Sequence, residues 1–196
     1  MKRLFVAVDL DERTRAEIAE VSSALSSSVA SSLSRARITW VHADRLHLTL
    51  EFLGEVDEGT EQRAGLALLE PLPVQAFNVL FSGLGFFPRS GPPRVLWLGI
   101  AEGLADLRSL HGELRRRLGR SGEPAEAFNP HLTLARFRDR VSRSELREIA
   151  QRGARAGPCR IDRVTLYESR LSPKGPSYTG LAEGLLKPCT SAPSSS

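Results

Sequence analysis

One tetrapeptide, His-Leu-Thr-Leu, occurs twice in this chain of 196 residues, at residues 47–50 and 131–134. Side chains of a β-strand alternate between its two faces, so the histidine and threonine of each copy share one face while the leucines point into a core. Each copy then presents an imidazole beside a hydroxyl. A lone histidine in a strand is more often structural than catalytic, but an identical repeat makes both copies candidates for one site.

Two imidazoles and two hydroxyls that face each other across a cleft suit the cleavage of a phosphodiester. In-line displacement at phosphorus needs a base at the attacking oxygen and an acid at the leaving oxygen, on opposite sides. Histidines with pKa values near ~6.5 can hold opposite protonation states at neutral pH, so His47 and His131 can fill these roles. The hydroxyls of Thr49 and Thr133 can donate to the non-bridging oxygens, and a strained 2′,3′-cyclic RNA end is a fitting electrophile.

A metal site is the alternative interpretation of two histidines. Such a site usually has a third protein ligand, and the nearest candidates are Asp44 and Glu51, neither of which has a counterpart near His131. We therefore expect no metal and no cofactor. The other two histidines have no comparable setting: His42 is predicted in a loop and His111 on the face of a helix.

Composition adds only weak constraints. A net charge of +4 favours anionic partners such as RNA ends or nucleotides. The N-terminal apolar run, Leu4–Val8, is too short for a signal peptide or a membrane span, so a cytoplasmic protein without membrane contact is expected. Cys159 and Cys189 do not form a C-x-x-C pair, which argues against structural zinc, and a disulfide between them is doubtful because Cys189 lies in a polar tail.

Hydrophobic periodicity and turn formers predict strands and helices in mixed order. Since no regular β-α-β rhythm appears, we predict an α+β fold with mainly antiparallel sheets. Residues 1–187 are expected to form a single catalytic domain, and the Ser-rich segment 188–196 a disordered tail. Strands are predicted at 4–8, 38–41, 46–53, 77–86, 95–100, 131–137, 161–171 and 178–186, and helices at 12–33, 58–69, 104–118 and 142–154, the last from a capping box of Ser142 and Glu145.

The chain resembles the RNA 2′,3′-cyclic phosphodiesterases, also called 2′-5′ RNA ligases, of the 2H phosphoesterase superfamily. That superfamily is defined by two His-x-Thr-x motifs, which match residues 47–50 and 131–134. The resemblance covers about residues 2–186. Further segments that carry it are Arg3–Val8, Trp40–Val41, Gly83–Pro88, Arg94–Gly99, Phe128–Pro130 and Leu166–Ser169, with Leu171 and Tyr178.

The resemblance implies a bilobal fold of two pseudo-symmetric lobes that flank a central cleft. It also implies hydrolysis of a 2′,3′-cyclic phosphate to a 2′-phosphomonoester, with His47 as proton donor and His131 as proton acceptor. The identical tetrapeptides alone do not decide these two roles. Thr49, Thr133 and Arg136 would bind phosphate, and Phe52 would flank the base.

Alternation raises two questions about these residues. Arg136 lies five residues after His131, so strict alternation places it on the opposite face unless the strand twists or bulges. Glu51 falls on the face of His47, where its carboxylate would raise the imidazole pKa or repel phosphate, unless it lies outside the cleft.

Three functions remain open from the sequence. The first is hydrolysis of cyclic-phosphate RNA ends or small cyclic nucleotides. The second is ligation of such ends to 5′-hydroxyl RNA, and the third is an RNA-end binding module without turnover. A monomer is expected for each.

Overall fold

The computed structural model describes residues 1–33, 36–122, 128–144, 146–172 and 175–188. Within these ranges the chain forms ten strands, four α-helices and one short 3₁₀ helix, Ala43–Arg45. The strands are β1 (Lys2–Asp9), β2 (Ile38–Trp40), β3 (His47–Val56), β4 (Leu72–Gln75), β5 (Phe77–Phe87), β6 (Val95–Glu102), β7 (Leu132–Phe137), β8 (Arg155–Ile161), β9 (Arg163–Ser172) and β10 (Gly175–Lys187). The helices are α1 (Glu12–Ser32), α2 (Glu58–Leu66), α3 (Leu104–Arg117) and α4 (Arg147–Gln151).

The strands form two half-sheets that meet at one point. In the first lobe the order is β4-β10-β9-β1-β3, and in the second it is β7-β6-β5-β8, with β2 also paired to β7. Apart from the parallel pair of β10 and β4, all pairings are antiparallel. The halves are joined by a single pair between β3 and β7, Leu48 with Leu132. This arrangement confirms the bilobal α+β fold with mainly antiparallel sheets.

The two lobes repeat one pattern around this junction. In each lobe a strand is followed by a helix and then by the strand that carries the tetrapeptide: β1, α1 and β3 in the first, and β6, α3 and β7 in the second. The partner strand pairs with the tetrapeptide strand in both cases. Since Leu48 and Leu132 are the second residues of the two tetrapeptides, the pseudo-two-fold axis passes between them.

The helices tie the lobes together because each long helix contacts the other lobe. Helix α1 contacts β8 of the second lobe, and α3 contacts β3 and β4 of the first. Asp11 caps the N-terminus of α1 by accepting from Thr14 N at 2.7 Å. Helix α3 begins after Gly103, whose φ of +86° and closeness to Asn78 O leave no room for a side chain. Its buried face consists of Leu107, Leu110 and Leu114.

Most predicted elements are present, but two strands were missed. Strands β4 and β8 lie at the two ends of the sheet order, and each contains a proline, Pro73 or Pro158. Proline lacks an N–H for the ladder and is tolerated at such edges, so these segments carry a weak strand signal.

The fourth predicted helix was too long. It begins at Arg147 and ends at Gln151, because the chain from Ala154 onward joins the second half-sheet through the bond from Gly83 N to Ala154 O. The Glu145 half of its predicted capping box lies outside the described residues, as does the predicted tail apart from Pro188.

Cys159 is a buried free thiol whose pKa is raised to about 11 by burial. Cys189 lies outside the described residues. Within the described ranges, no helix has both the length and the apolar character needed to cross a membrane.

Candidate active site

The junction between the lobes places the two tetrapeptides side by side. Pairing of Leu48 with Leu132 sets a register in which His47 lies opposite Thr133 and Thr49 opposite His131. Residues opposite each other share one face of an antiparallel pair, so all four side chains project from the same side. The imidazoles then occupy diagonal positions, which are ~7–8 Å apart in such a pair. The positive charge of His131 accordingly lowers the pKa of His47.

Each imidazole is held by a main-chain carbonyl two residues earlier. His47 Nδ1 lies 2.7 Å from Arg45 O, and His131 Nδ1 lies 2.8 Å from Asn129 O. A carbonyl only accepts, so Nδ1 carries the hydrogen in both rings. Nε2 is therefore the atom that gains and loses a proton in each ring. Paired acid and base catalysis requires two such nitrogens, because one must donate a proton while the other accepts one.

Aromatic rings fix the two imidazoles in orientation. The ring of His47 lies 5.1 Å from that of Phe5 and 5.1 Å from that of Tyr178. The ring of His131 has Phe87 at 4.9 Å and Trp97 at 6.3 Å. Since each imidazole is held by aromatic rings and by a carbonyl, its Nε2 has a defined direction.

Burial lowers the pKa of both histidines, because removing a cation from water is costly. The carbonyl bonds oppose this by stabilising the protonated rings. The nearby positive charge of Arg136 lowers both pKa values further, while the carboxylate of Asp9 raises that of His47. The two sites are thus alike in kind, but the carboxylate of Asp9 acts on His47 and not on His131.

Arg136 lies on the exposed, cleft side of β7 because the strand bulges. In the pairing of β7 with β6, Thr133 lies opposite Trp97 and Ala135 lies opposite Leu96. Because Trp97 and Leu96 are neighbours, Leu134 is an extra residue without a partner position in β6. Leu134 and Ala135 are both buried, and Arg136 follows them as an exposed residue. Strict alternation, which placed Arg136 on the opposite face, is therefore wrong for this strand, and the bulge is the physical reason.

The same bulge in β3 corrects the prediction for Glu51. The partners of Thr49 and Glu51 are the neighbours Ala7 and Val6, so Leu50 is extra, as Leu134 is in β7. Glu51 is turned away from His47 and is only 7% exposed. It accepts from His111 Nε2 at 2.9 Å and from Arg115 Nη1 at 3.1 Å, both on α3.

Phe52 takes the position in β3 that Arg136 takes in β7. It is 60% exposed, and its ring lies 6.0 Å from that of Phe5, on the face of His47. The bulges therefore bring Phe52 and Arg136 to the cleft from opposite lobes.

A cavity of about 590 Å³ opens beside His131. Its size is within the range of small-molecule sites. Thr49 and His131 line it together with Phe128, whose ring stacks on that of His111 at 4.0 Å. The remaining lining residues are Leu50, Glu51, Phe52, Phe87, Arg115, Arg120 and Asn129.

The metal site considered as an alternative would need Asp44 or Glu51 as a third ligand beside His47 and His131. Asp44 contacts His42 at 3.1 Å on the surface, and Glu51 contacts His111, so neither carboxylate joins His47 to His131. Across the described ranges, no three His, Cys, Asp or Glu side chains are grouped so that they could hold a metal ion. His42 and His111 lie in the loop and helix positions that the sequence predicted.

Sequence reasoning missed the residues that surround the imidazoles. Phe5, Tyr178, Phe87 and Trp97 come from four other strands, and only tertiary structure brings them to the histidines. Asp9 was missed although a signal existed: it ends β1, and an antiparallel β3 that begins at His47 must place the two opposite each other.

Known proteins share this fold over nearly the whole chain. The RNA 2′,3′-cyclic phosphodiesterase of Methanothermobacter thermautotrophicus is 34% identical over 91% of this chain and 96% of its own length. The protein of the same name from Thermotoga maritima is 33% identical, over 92% and 94%. The crystal structure of E. coli LigT complexed with 3′-AMP superposes with a TM-score of 0.71 at 30% identity, covering 94% of this chain and 97% of that one.

The family model described as the 2′-5′ RNA ligase superfamily matches residues 8–172, a segment that contains both tetrapeptides and Arg136. This chain belongs to the 2′-5′ RNA ligase superfamily.

Proposed function

We propose that this protein hydrolyses the 2′,3′-cyclic phosphate ends of RNA to 2′-phosphomonoesters, without a metal ion, by acid and base catalysis from His47 and His131. The observation that carries the proposal is the matched pair of imidazoles at the lobe junction. Each has its Nδ1 tied to a carbonyl and its Nε2 left to exchange a proton. The names of the relatives from Methanothermobacter and Thermotoga support the same substrate class.

The reaction is an in-line displacement at phosphorus. Nε2 of His131 removes a proton from water as the water oxygen bonds to phosphorus. The bond from phosphorus to the 3′-oxygen breaks on the opposite side, and Nε2 of His47 gives its proton to that oxygen. The product carries a 3′-hydroxyl and a 2′-phosphate, and one proton passes back from His131 to His47 through solvent to restore the starting state.

Negative charge that develops on the phosphoryl oxygens needs donors in the transition state. Thr49 and Thr133 lie beside the two histidines in the register and supply hydroxyl donors. Arg136 supplies a full positive charge from the second lobe, and Phe52 supplies an exposed ring for the base of the terminal nucleotide.

The lowered histidine pKa values fit an anionic substrate. In the free protein both imidazoles favour the neutral form, because they are partly buried beside Arg136. A bound phosphodiester brings a negative charge, which raises the pKa of a nearby imidazole. Substrate binding therefore promotes protonation of the acid at the time it is needed.

The test is turnover of adenosine 2′,3′-cyclic phosphate and of a cyclic-ended RNA oligonucleotide in buffer with excess EDTA. Phosphorus NMR separates the 2′- and 3′-phosphate products. His47→Ala and His131→Ala should each lower kcat/KM by about 10²- to 10⁴-fold. The control is His42→Ala, because His42 is a surface residue beside Asp44.

Three outcomes would contradict the proposal. Full activity in either histidine variant would remove that histidine from the mechanism, and loss of activity in EDTA with recovery on added metal would remove the metal-free step. Tight binding of the cyclic end without product over hours would favour a binding module. In ligation a 5′-hydroxyl of RNA replaces water as the attacking group, and the reaction is detected by adding 5′-hydroxyl RNA and looking for a 2′-5′ linkage.

A further inference from the structure

The two lobes differ at the position opposite each histidine. In the first lobe the pairs are Ala7 with Thr49, Val8 with Leu48 and Asp9 with His47. In the second lobe they are Trp97 with Thr133 and Leu98 with Leu132. The second register ends there, and Gly99, which follows Leu98, is the counterpart of Asp9, which follows Val8. One histidine thus faces a carboxylate, and the counterpart of that carboxylate in the other lobe is a residue with no side chain.

The second lobe has no space for a carboxylate at that position. A Cβ added at Gly99 would lie 2.9 Å from Ser82 O and 3.3 Å from Trp97 Cζ3, which is closer than ordinary van der Waals contact. The asymmetry is therefore built into the packing of β5 against β6. It does not depend on the choice of a single side chain.

The carboxylate of Asp9 is held in place by two hydroxyls of β9. Thr165 Oγ1 donates to Oδ2 at 2.9 Å, and Tyr167 OH donates to Oδ1 at 2.7 Å. Tyr167 in turn stacks on Phe5 at 5.4 Å, and Phe5 contacts the ring of His47. These neutral donors keep the negative charge fixed beside His47 and do not neutralise it.

The other groups that face His47 give no comparable negative charge. Arg136 of β7 and His131, the residue before β7, are both cationic when charged, and β10 contributes the phenol of Tyr178. The 3₁₀ helix contributes the carbonyl of Arg45. Asp9 on β1 is the carboxylate that acts on His47, and none acts on His131 among the described residues.

We propose that Asp9 makes His47 the acid and leaves His131 as the base, by placing a fixed carboxylate beside one of the two imidazoles. This inference rests on the proposed function, and it identifies Asp9 as a positioning residue that acts through His47. It resolves what two identical tetrapeptides leave undecided, because the carboxylate stabilises the protonated form of its neighbour. Burial and Arg136 affect both histidines and do not distinguish them in this way.

Asp9→Asn is the informative variant, because an amide keeps the size of the side chain, can accept from one of the two hydroxyls and donate to the other, and removes the charge. Titration of the imidazoles by proton–nitrogen NMR should show a lower pKa for His47 and the same pKa for His131. At neutral pH kcat/KM for adenosine 2′,3′-cyclic phosphate should fall about tenfold, and the loss should shrink as the pH is lowered. The matched control is Asp44→Asn, which removes an exposed carboxylate two residues after His42 and should change neither property.

The sign of the effect tests the assignment. If His47 were the base, a lower pKa would leave more of it unprotonated, and Asp9→Asn would be more active than the wild type below neutral pH. That result, or an unchanged His47 titration, would overturn the role of Asp9 while the hydrolase function stood. Absence of turnover by the wild-type protein would instead overturn the proposed function, and the acid role with it.

Discussion

Replacement of Arg136 by glutamine should separate two effects that this side chain has on the site. Arg136 reaches the cleft through the bulge at Leu134, and its charge lowers the pKa of both His47 and His131. In the proposed function it also binds the phosphate. The variant removes the charge and the planar fork but keeps a side chain of similar length.

The two effects have different sizes and signs. Loss of a charged donor to the phosphoryl oxygens should lower kcat/KM by about 10²- to 10³-fold, or about 2.7–4 kcal/mol. The interaction with each imidazole is smaller: for a separation of about 8 Å, two unit charges interact by about 0.5–2 kcal/mol for dielectric constants between 80 and 20. Because Arg136 opposes protonation, its removal raises both histidine pKa values. In a plot of kcat/KM against pH, both the acidic and the basic limb should therefore move to higher pH.

The assay is kcat/KM for adenosine 2′,3′-cyclic phosphate from about pH 4 to 9. Arg136→Lys keeps the charge but not the bidentate fork, so its limbs should stay in place while kcat/KM falls about tenfold. The control is Arg138→Gln, which removes an equal charge from an exposed residue that contacts Thr39 on β2. It should leave both the limbs and the maximum unchanged.

Two results would refute this reasoning. A fall in kcat/KM with both limbs in place would mean that the charge of Arg136 does not reach the imidazoles. Displaced limbs with an unchanged maximum would mean that Arg136 does not contact the reacting phosphate.

Three further predictions concern the surroundings of the site. Glu51→Gln should lower the free energy of unfolding in urea by about 1–3 kcal/mol, because the carboxylate is buried against α3, yet leave the limbs of the pH profile in place because Glu51 is not among the charges that shift the pKa of His47 or His131. Gly85→Ala should lower kcat/KM more than tenfold, because a methyl group there overlaps the indole of Trp97, which packs on the second imidazole; Gly112→Ala, at a position with open space, is the control and should retain activity. Glu113, whose pKa is lowered to about 2 by its paired arginines, adds stability at neutral pH that is lost as the pH falls from about 4.5 to 2, so Glu113→Gln should flatten the dependence of urea stability on pH in that window.

The sequence predicted the architecture because its strongest signals are local. The apolar run of β1 and the leucine stripe of α3 are visible as periodic patterns, and both elements form where expected. The missed strands β4 and β8 are edge strands with prolines, whose pairing depends on a neighbour far away in sequence. Local preference does not report such pairing.

For the residues of the candidate site, the sequence predicted the strand face of each side chain only at the start of each tetrapeptide. Alternation describes the start of each tetrapeptide, since no register shift interrupts His47–Thr49 in β3 or Leu132–Thr133 in β7. It failed immediately afterwards, at Glu51 and Arg136. A bulge inserts one residue without a distinctive sequence signal, and each residue after it changes face.

The shared bulge explains how identical tetrapeptides can support different tasks. The extra residue of the bulge is the fourth residue of the tetrapeptide in both strands, Leu50 or Leu134. The two positions after it therefore correspond between the lobes, Glu51 to Ala135 and Phe52 to Arg136. In the proposed function these two exposed residues bind different parts of the substrate: Phe52 from one lobe contacts the base, and Arg136 from the other contacts the phosphate. The position opposite the histidine, Asp9 or Gly99, then divides the acid from the base. The duplicated tetrapeptide places the two histidines alike, and the residues that differ around it decide which histidine is the acid and which is the base. An exchange of Phe52 and Arg136 alone should therefore not exchange the roles of the histidines.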